Sequence, residues 1–411
     1  MQITISGTFS GTGSISGYTN PTTYLILSTD GIGTFKLGTL SGGAITTVVG
    51  TTTGATFSYG SPQSKFQQLT ASLFTTYGAV DIKFVDSYIV FLAQSGRLFY
   101  NDDGQAVSGQ GQITFNTNAI FPREFGTDLF VGMGCDHREI TIFGTKTSEG
   151  YLNVGNPVGT PFSTAPQSFM EIGCDPNAAY SIGTQDQSLF WVANDRTVRR
   201  KSGQTPQRVS NSGIEAILEH ADLTGSYALT PSIAGHPLWI YVMPAAFRTI
   251  AYDCLTQEWF EIESYNIGYW RGLSYYNLFG KQFIGDSQGS GIGYLDTSTF
   301  TEYGNTMVCT MVTQPIYKDH NRINHRRLEI VISTGQDAFT GATLSLWVSD
   351  DAANTFRGFP SRNLGTIGSF NTRATWFNLG QSRNRVYKFS TSDPTQLFTV
   401  QITSEIEMNK W

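Results

Sequence analysis

The sequence predicts an all-β protein: a six-bladed β-propeller with an N-terminal β segment and a C-terminal β-sandwich-like module. Three observations lead there. Aromatic residues make up 13% of the 411 residues and charged residues only 14%, with 44 glycines. That composition is rich in strand and turn formers and poor in helix formers. Strand-like runs recur with tight turns between them, and comparable runs lie roughly 40–50 residues apart, the period of a four-stranded blade. Beyond residue 305 this rhythm stops and longer strands begin.

Residues 1–62 form the first segment, nearly uncharged apart from Asp30 and Lys36. ITISGTF, TTYLILST, GTFKLGTL and AITTVVG read as strands with glycine between them. Low charge and bare strand edges would make such a segment prone to aggregate alone. It is expected to be buried against another chain or domain. The alternative is a disordered linker, but TTYLILST and AITTVVG are too apolar for one.

Residues 63–305 carry the propeller expectation. VDIKFVDSYIVFLAQSGRLFYNDDGQ reads as three strands with turns at Asp86-Ser87 and Gln94-Ser95-Gly96. FGTDLFVGMGCDHREITIFGTKTSEGYLNVG, QDQSLFWVANDRTVRRKSGQTPQRVS, HPLWIYVMPAAFRTIAYDCLTQEWFEIES and YWRGLSYYNLFGKQFIGDSQGSGIGYLDTST repeat the scheme. In the fourth copy the last turn lies between Asp253 and Thr256. One four-stranded sheet cannot bury both its faces, whereas radial stacking buries them between neighbours. A set of β-sandwiches is the alternative. One short helix is expected, IEAILEHA, with Ile214, Ile217 and Leu218 on one face, Ser212 as N-cap, and the propeller rim as its seat.

Residues 306–411 break the rhythm. MVCTMVTQPIY, RRLEIVIST, ATLSLWVSDD and ATWFNLG are longer strands and read as a separate sandwich-like module. This tail is mildly basic, whereas acids outnumber bases before it. The two signs fit either two solvated surfaces or complementary faces for subunit packing. The net charge of -6 argues against a general nucleic-acid binder. Cys135, Cys174, Cys254 and Cys309 are far apart with no C-x-x-C pair, which favours buried free thiols over zinc or redox chemistry. MQITISGTFSGTG lacks the charged start and apolar core of a signal peptide. No apolar run nears the roughly 18 residues of a membrane span, so no membrane anchoring is expected.

Few motifs could carry chemistry. SDDAANTF resembles an Asp-box hairpin, S-x-D-x-G-x-T-W, a structural element. Ser349, Asp351, Thr355 and Phe356 are its candidates, with Asp351 bonding the turn amides and Phe356 plugging the core. Ala353 and Phe356 stand where Gly and Trp are usual. In Asp136-His137-Arg138-Glu139, strand alternation would put His137 and Glu139 on one face and Asp136 and Arg138 on the other. A His/Glu pair could do acid–base work, but no nucleophile elbow accompanies it, and a blade-edge salt bridge is the plainer expectation. The basic cluster Lys318, His320, Arg322, His325, Arg326 and Arg327 could touch phosphate or, more simply, a subunit or partner. GDSQGSGIG lacks the Lys-Ser/Thr of a P-loop and reads as a hairpin loop. Asp102-Asp103-Gly104 is far short of a calcium loop. No catalytic residue, metal or cofactor is expected.

DHREITIFGTKTSEGYLNVG, RVSNSGIEAIL, YDCLTQEWFE with WRGL and FIGDSQGSGIGYLD, and LWVSDDAANTF with the strands after it occur in an order that resembles one family. It is the packaged-DNA stabilisation or tail hub (nozzle) proteins of short-tailed phages. The resemblance covers about two thirds of the chain, from residue 125 onward, and matches poorly over residues 1–62. It implies a virion tail protein assembled in the host cytoplasm, and not an enzyme. It also implies a ring of six copies below the portal-adaptor ring, holding packaged DNA in the head and carrying needle, fibre or spike proteins. DNA would pass through the lumen without sequence-specific binding. The alternative from another class is a glycan-binding or glycan-cleaving propeller, for which 7 Trp and 19 Tyr could supply stacking platforms.

Overall fold

The structure, a computed structural model, describes all residues except 1, 9, 30–33, 49, 55, 60–71, 94–95, 102–114, 117, 124, 157–158, 320, 334–340, 367, 370, 396–397 and 409–411. The Asp102-Asp103-Gly104 turn, Gln94, Ser95 and His320 therefore lie outside the described residues. The chain divides into two compact units, Met1–Thr75 and Thr76–Trp411.

In the first unit the strand Gln2–Ser6 pairs with Thr22–Thr29 on one side and Thr56–Tyr59 on the other, and Phe35–Gly38 flanks Thr22–Thr29. Ile3, Ile5, Tyr24 and Leu37 are its core. The short pairs of Ser10–Gly11 with Thr52–Thr53 and of Ser14–Ile15 with Thr47–Val48 extend the pairing begun by Ile3 and Tyr59, the first of them offset by one residue. Residues 3–15 and 47–59 thus make one interrupted antiparallel ribbon.

The second unit opens with five sheets of the blade pattern. The first holds Asp81–Val85, Tyr88–Leu92, Arg97–Tyr100 and Ile120–Pro122. The second holds Phe130–Asp136, Glu139–Gly144, Ser148–Asn153 and Phe162–Thr164. Gly183–Gln185, Ser188–Val192, Val198–Ser202 and Thr205–Arg208 form the third. Tyr227–Leu229, His236–Met243, Arg248–Asp253 and Trp259–Glu261 form the fourth, and Gly272–Leu278, Lys281–Asp286 and Ile292–Tyr294 the fifth.

Each sheet is an antiparallel meander packed on its neighbours. Successive side chains of a strand point to opposite faces, and in the central strands of the inner sheets both faces are dry. From Ser188–Val192, Leu189 and Trp191 pack with Phe143 of the second sheet, while Phe190 and Val192 pack with Trp239 and Tyr241 of the fourth. In His236–Met243, Trp239, Tyr241 and Met243 face the third sheet; Leu238, Ile240 and Val242 face the fifth, with Ile284 and Trp270. That explains the continuous apolar runs SLFWV and LWIYVM, which strands covered on one face would not need.

Every sheet has a two-residue turn with positive φ at both positions, joining its first two strands in four sheets and the short strand Ser232–Ile233 to His236–Met243 in the fourth. The pairs are Asp86 (49°) and Ser87 (77°), His137 (44°) and Arg138 (66°), and Asp186 (46°) and Gln187 (54°). Ala234 (51°) with Gly235 (86°) and Phe279 (53°) with Gly280 (72°) complete the set. This is the hairpin turn whose twist matches the strands. It corrects the strand reading of Asp136-His137-Arg138-Glu139. His137 and Arg138 are the turn, and Asp136 pairs with Glu139 across it, so the two acids share a side.

The helix spans Ser212–His220 and its N-cap is Asn211, whose side chain accepts from the Ile214 amide at 3.0 Å. This replaces the expected Ser212. Ile214 and Leu218 reach into the core between the third and fourth sheets, deeper than a seat on the rim. The thiols also depart from expectation. All four are free, but only Cys174 and Cys254 are buried; Cys135 is half-buried and Cys309 exposed.

The C-terminal part is a sandwich. Asn384–Thr391 pairs with Cys309–Val312, Ile316–Tyr317 and Thr343–Ser349, and Arg357–Asn363 forms the edge beyond. The facing sheet has Ile323–Ser333 between Thr372–Ser382 and Phe398–Met408. Leu328, Ile330, Leu344, Leu346, Trp376 and Phe389 fill the core.

Candidate assembly surfaces and central cavity

Neighbouring sheets are stitched by polar contacts at the end carrying the tight turns. Arg138 binds Asp86 through Nε at 2.6 Å and a second guanidinium nitrogen at 3.1 Å, joining the first and second sheets. Between the second and third sheets, Lys201 Nζ donates to Asp136 (3.0 Å), Glu139 (2.8 Å) and Thr141 (3.0 Å), all out of solvent. Gln204 donates to the other Glu139 oxygen at 2.8 Å. Glu139 is thereby committed to holding two sheets together, away from His137, which is on the turn. Gln185 Nε2 donates to the Pro231 and Leu238 carbonyls at 2.8 and 2.9 Å. Gln282 and the Ser232 backbone bond each other in both directions, linking the fourth and fifth sheets.

The first strands meet around a cavity of about 270 Å³, lined by Asp81, Lys83, Met133, Tyr180, Tyr227 and Leu273 among others. Gly134 lets this inner wall close up, because a Cβ there would collide with Leu189. Asp81 is the one carboxylate of the lining. It accepts from Lys83 Nζ at 3.2 Å and from the Met133 amide at 3.1 Å. Tyr227 donates to the Gly272 carbonyl at 2.8 Å, and burial pushes its phenol up to about 12. Glycoside cleavage commonly requires two carboxyl groups about 5–9.5 Å apart, and this lining offers one, already bonded. Among the described residues no cluster of His, Cys, Asp and Glu could hold a metal, and no helix is long and apolar enough to cross a membrane.

The two end sheets each expose apolar residues on the face turned away from their neighbour. On the first sheet these are Ile82 and Phe84, Phe84 by 65%, while Phe91 and Phe99 of the same face are buried. Tyr276, Leu278, Phe279, Ile292 and Tyr294 of the fifth are exposed as well, Phe279 by 96% and Ile292 by 76%. Contiguous apolar surface of this kind marks contact sites.

The sequence-derived residues of the sandwich separate. Lys318 and Arg322 are exposed. Arg326 pairs with Glu407 at 2.7 Å and Arg327 with Glu329. His325 is fully buried, 2.8 Å from both Ser382 Oγ and Tyr387 OH. It is no surface contact residue. A bulge between His325 and Arg327 reverses the alternation, so that His325 and Leu328 both turn inward. Desolvation, with Arg385 nearby, lowers the His325 imidazole to about 4.

The hairpin after Thr343–Ser349 is closed by its own side chains. Ser349 Oγ donates to Asp351 Oδ1 at 2.6 Å, and the Thr355 amide and hydroxyl donate to the same carboxylate at 2.9 and 2.6 Å. These bonds, led by that from Ser349, hold the Asp351 carboxyl down at about 2. Phe356 does not plug the core; it is half-buried with Lys388 Nζ 5.2 Å from its ring centre.

Two family models match the chain. That of the bacteriophage P22 Gp10 β-propeller covers residues 36–300, and that of the P22 Gp10 β-sandwich covers residues 309–407. The chain belongs to the P22 Gp10 family. It is accordingly a structural protein of a phage tail, a part of the virion built from a propeller and a sandwich. No curated protein gives a significant match. Solved structures similar to this P22 Gp10 family member include the extracellular domain of a protein described as a one-component system from B. thetaiotaomicron. Identity is 9% over 89% of this chain and 61% of that one, with a TM-score of 0.26. A Bacillus subtilis family 43 arabinoxylan arabinofuranohydrolase shares 10% identity over 80% of this chain and 78% of its own, with a TM-score of 0.20. Likenesses this distant bear on neither mechanism nor substrate.

Proposed function

We propose that this phage tail protein is the hub, or nozzle: a ring of six copies below the portal-adaptor ring that retains packaged DNA and anchors needle, fibre or spike proteins. The observation that carries the reading is the exposed apolar patch on each end sheet, Ile82 and Phe84 on the first and Tyr276, Ile292 and Tyr294 on the fifth, of a propeller otherwise stitched sheet to sheet. A rigid block with two separate sticky faces is suited to head-to-tail contacts, and rotational symmetry closes such contacts into a ring. The net charge of -6 suits a conduit, since like charge keeps duplex DNA off the wall. Nothing in this role needs turnover, and the single committed carboxylate of the central cavity supports a non-enzymatic part.

The test is the mass of the purified chain in solution with and without the adaptor ring, followed by particle imaging. A chain that forms a ring of about six copies on the adaptor supports the hub reading. A chain that stays monomeric and ignores the adaptor overturns it. Reversal of lumen acids to lysine should slow DNA exit; unchanged exit would remove the conduit argument.

A further inference from the structure

The outer face of the sandwich carries a groove of about 500 Å³ where it adjoins the loop after the fourth sheet. Trp347 and Tyr265 are its aromatic residues, 40% and 55% exposed. Thr343, Ser345, Ser390 and Thr391 add hydroxyls, and no Lys, Arg, Asp or Glu is in the lining. The volume is in the range of small-ligand sites.

The platform is built into the sheet. Along Thr343–Ser349, Leu344, Leu346 and Val348 are buried, which turns Thr343, Ser345 and Trp347 outward together. Trp347 pairs with Gly358 on one side and Lys388 on the other. Its six-membered ring occupies the space that a Gly358 side chain would take, with ring atoms 3.2–3.5 Å from that Cβ position. The indole is thus braced against the neighbouring strand while part of it stays in solvent. A ring braced in advance loses little freedom when a ligand covers it.

The hydroxyls are braced too. Ser345 Oγ lies 3.0 Å from Ser361 Oγ, and Thr343 Oγ1 donates to Asp393 at 3.0 Å. Each hydroxyl keeps acceptor capacity for a ligand. The lining offers no cation for a phosphate, nucleic acid or acidic peptide, and too many hydroxyls for an apolar helix. Flat aromatic surface beside uncharged donors and acceptors matches a molecule with a flat C–H face and a rim of hydroxyls.

We propose that this groove binds a neutral pyranose oligosaccharide, with Trp347 stacking on one sugar ring and Ser345 and its neighbours bonding the hydroxyls. The site is independent of the ring proposed above, and either can fail without the other.

Saturation-transfer NMR and tryptophan fluorescence on the full chain test it, with hexasaccharides of glucose, galactose and mannose up to about 10 mM, beyond the weak end of typical affinities. At least one should bind. W347A and Y265A should each weaken it by about ten-fold or more, with W347F retaining more affinity than W347A and melting temperatures unchanged. A silent panel overturns the proposal, as does binding that survives W347A. Protection of Trp347 by a protein of the tail, with no sugar response, also overturns it, in favour of a protein contact.

Discussion

At the scale of the residue, two buried polar groups make the sharpest predictions. Lys201 satisfies two carboxylates between the second and third sheets. Lys201→Met leaves Asp136 and Glu139 buried without their cation and should cost about 3–5 kcal/mol in denaturant unfolding. His325 is buried neutral, with its imidazole near 4. Between about pH 6.5 and 4 the unfolded chain takes up a proton that the folded chain refuses, so stability falls with pH across that window by up to about 3 kcal/mol. Above it the histidine contributes no slope, and below it both states are protonated. His325→Gln should flatten the slope in pH-dependent melts. Neither role was legible in the sequence. A bulge put His325 inside a string that looked like one basic surface, and Lys201 meets its partners across more than 60 positions of chain.

At the scale of the element, the central strands of the inner sheets were legible because each is buried on both faces. Trp191→Ala removes the ring that packs on Phe143 at 4.9 Å between ring centres and should cost about 3–5 kcal/mol. The turns were less legible. Positive φ at both positions is usually announced by Asn-Gly or Asp-Gly, and here three of five turns have no glycine. A left-handed residue with a side chain carries roughly 1–2 kcal/mol of strain, so Gln187→Gly should stabilise by about 1 kcal/mol in a thermal melt; no gain would mean that the side chain compensates. Missing the His137-Arg138 turn is what misassigned Asp136 and Glu139 to opposite faces. The local Ser349–Asp351–Thr355 closure needed only seven consecutive residues and could be read directly, whereas the groove of Trp347 and Tyr265 joins residues from two modules and could not.

At the scale of the whole molecule, the order of blade-like strands followed by longer ones was enough to separate propeller from sandwich. What the order cannot carry is which apolar residues stay exposed, since that depends on how the sheets stack in three dimensions. Phe84→Glu combined with Phe279→Glu places charge on both exposed faces. It should leave the monomer's melting temperature within about 1–2 °C, as for a surface change, and abolish ring formation on the adaptor. Intact rings would exclude these faces as the contacts. The five tight turns also govern where foreign sequence can enter the chain. Each spans two residues bonded into the pairing on either side, so an epitope or fluorophore tag inserted there would split the inner hairpin of a sheet. The longer connection between Ser148–Asn153 and Phe162–Thr164, where Val154, Gly155 and Asn156 are exposed, offers slack that those turns lack. A tag carried there would mark the protein for imaging in the assembled tail while leaving all five inner hairpins whole.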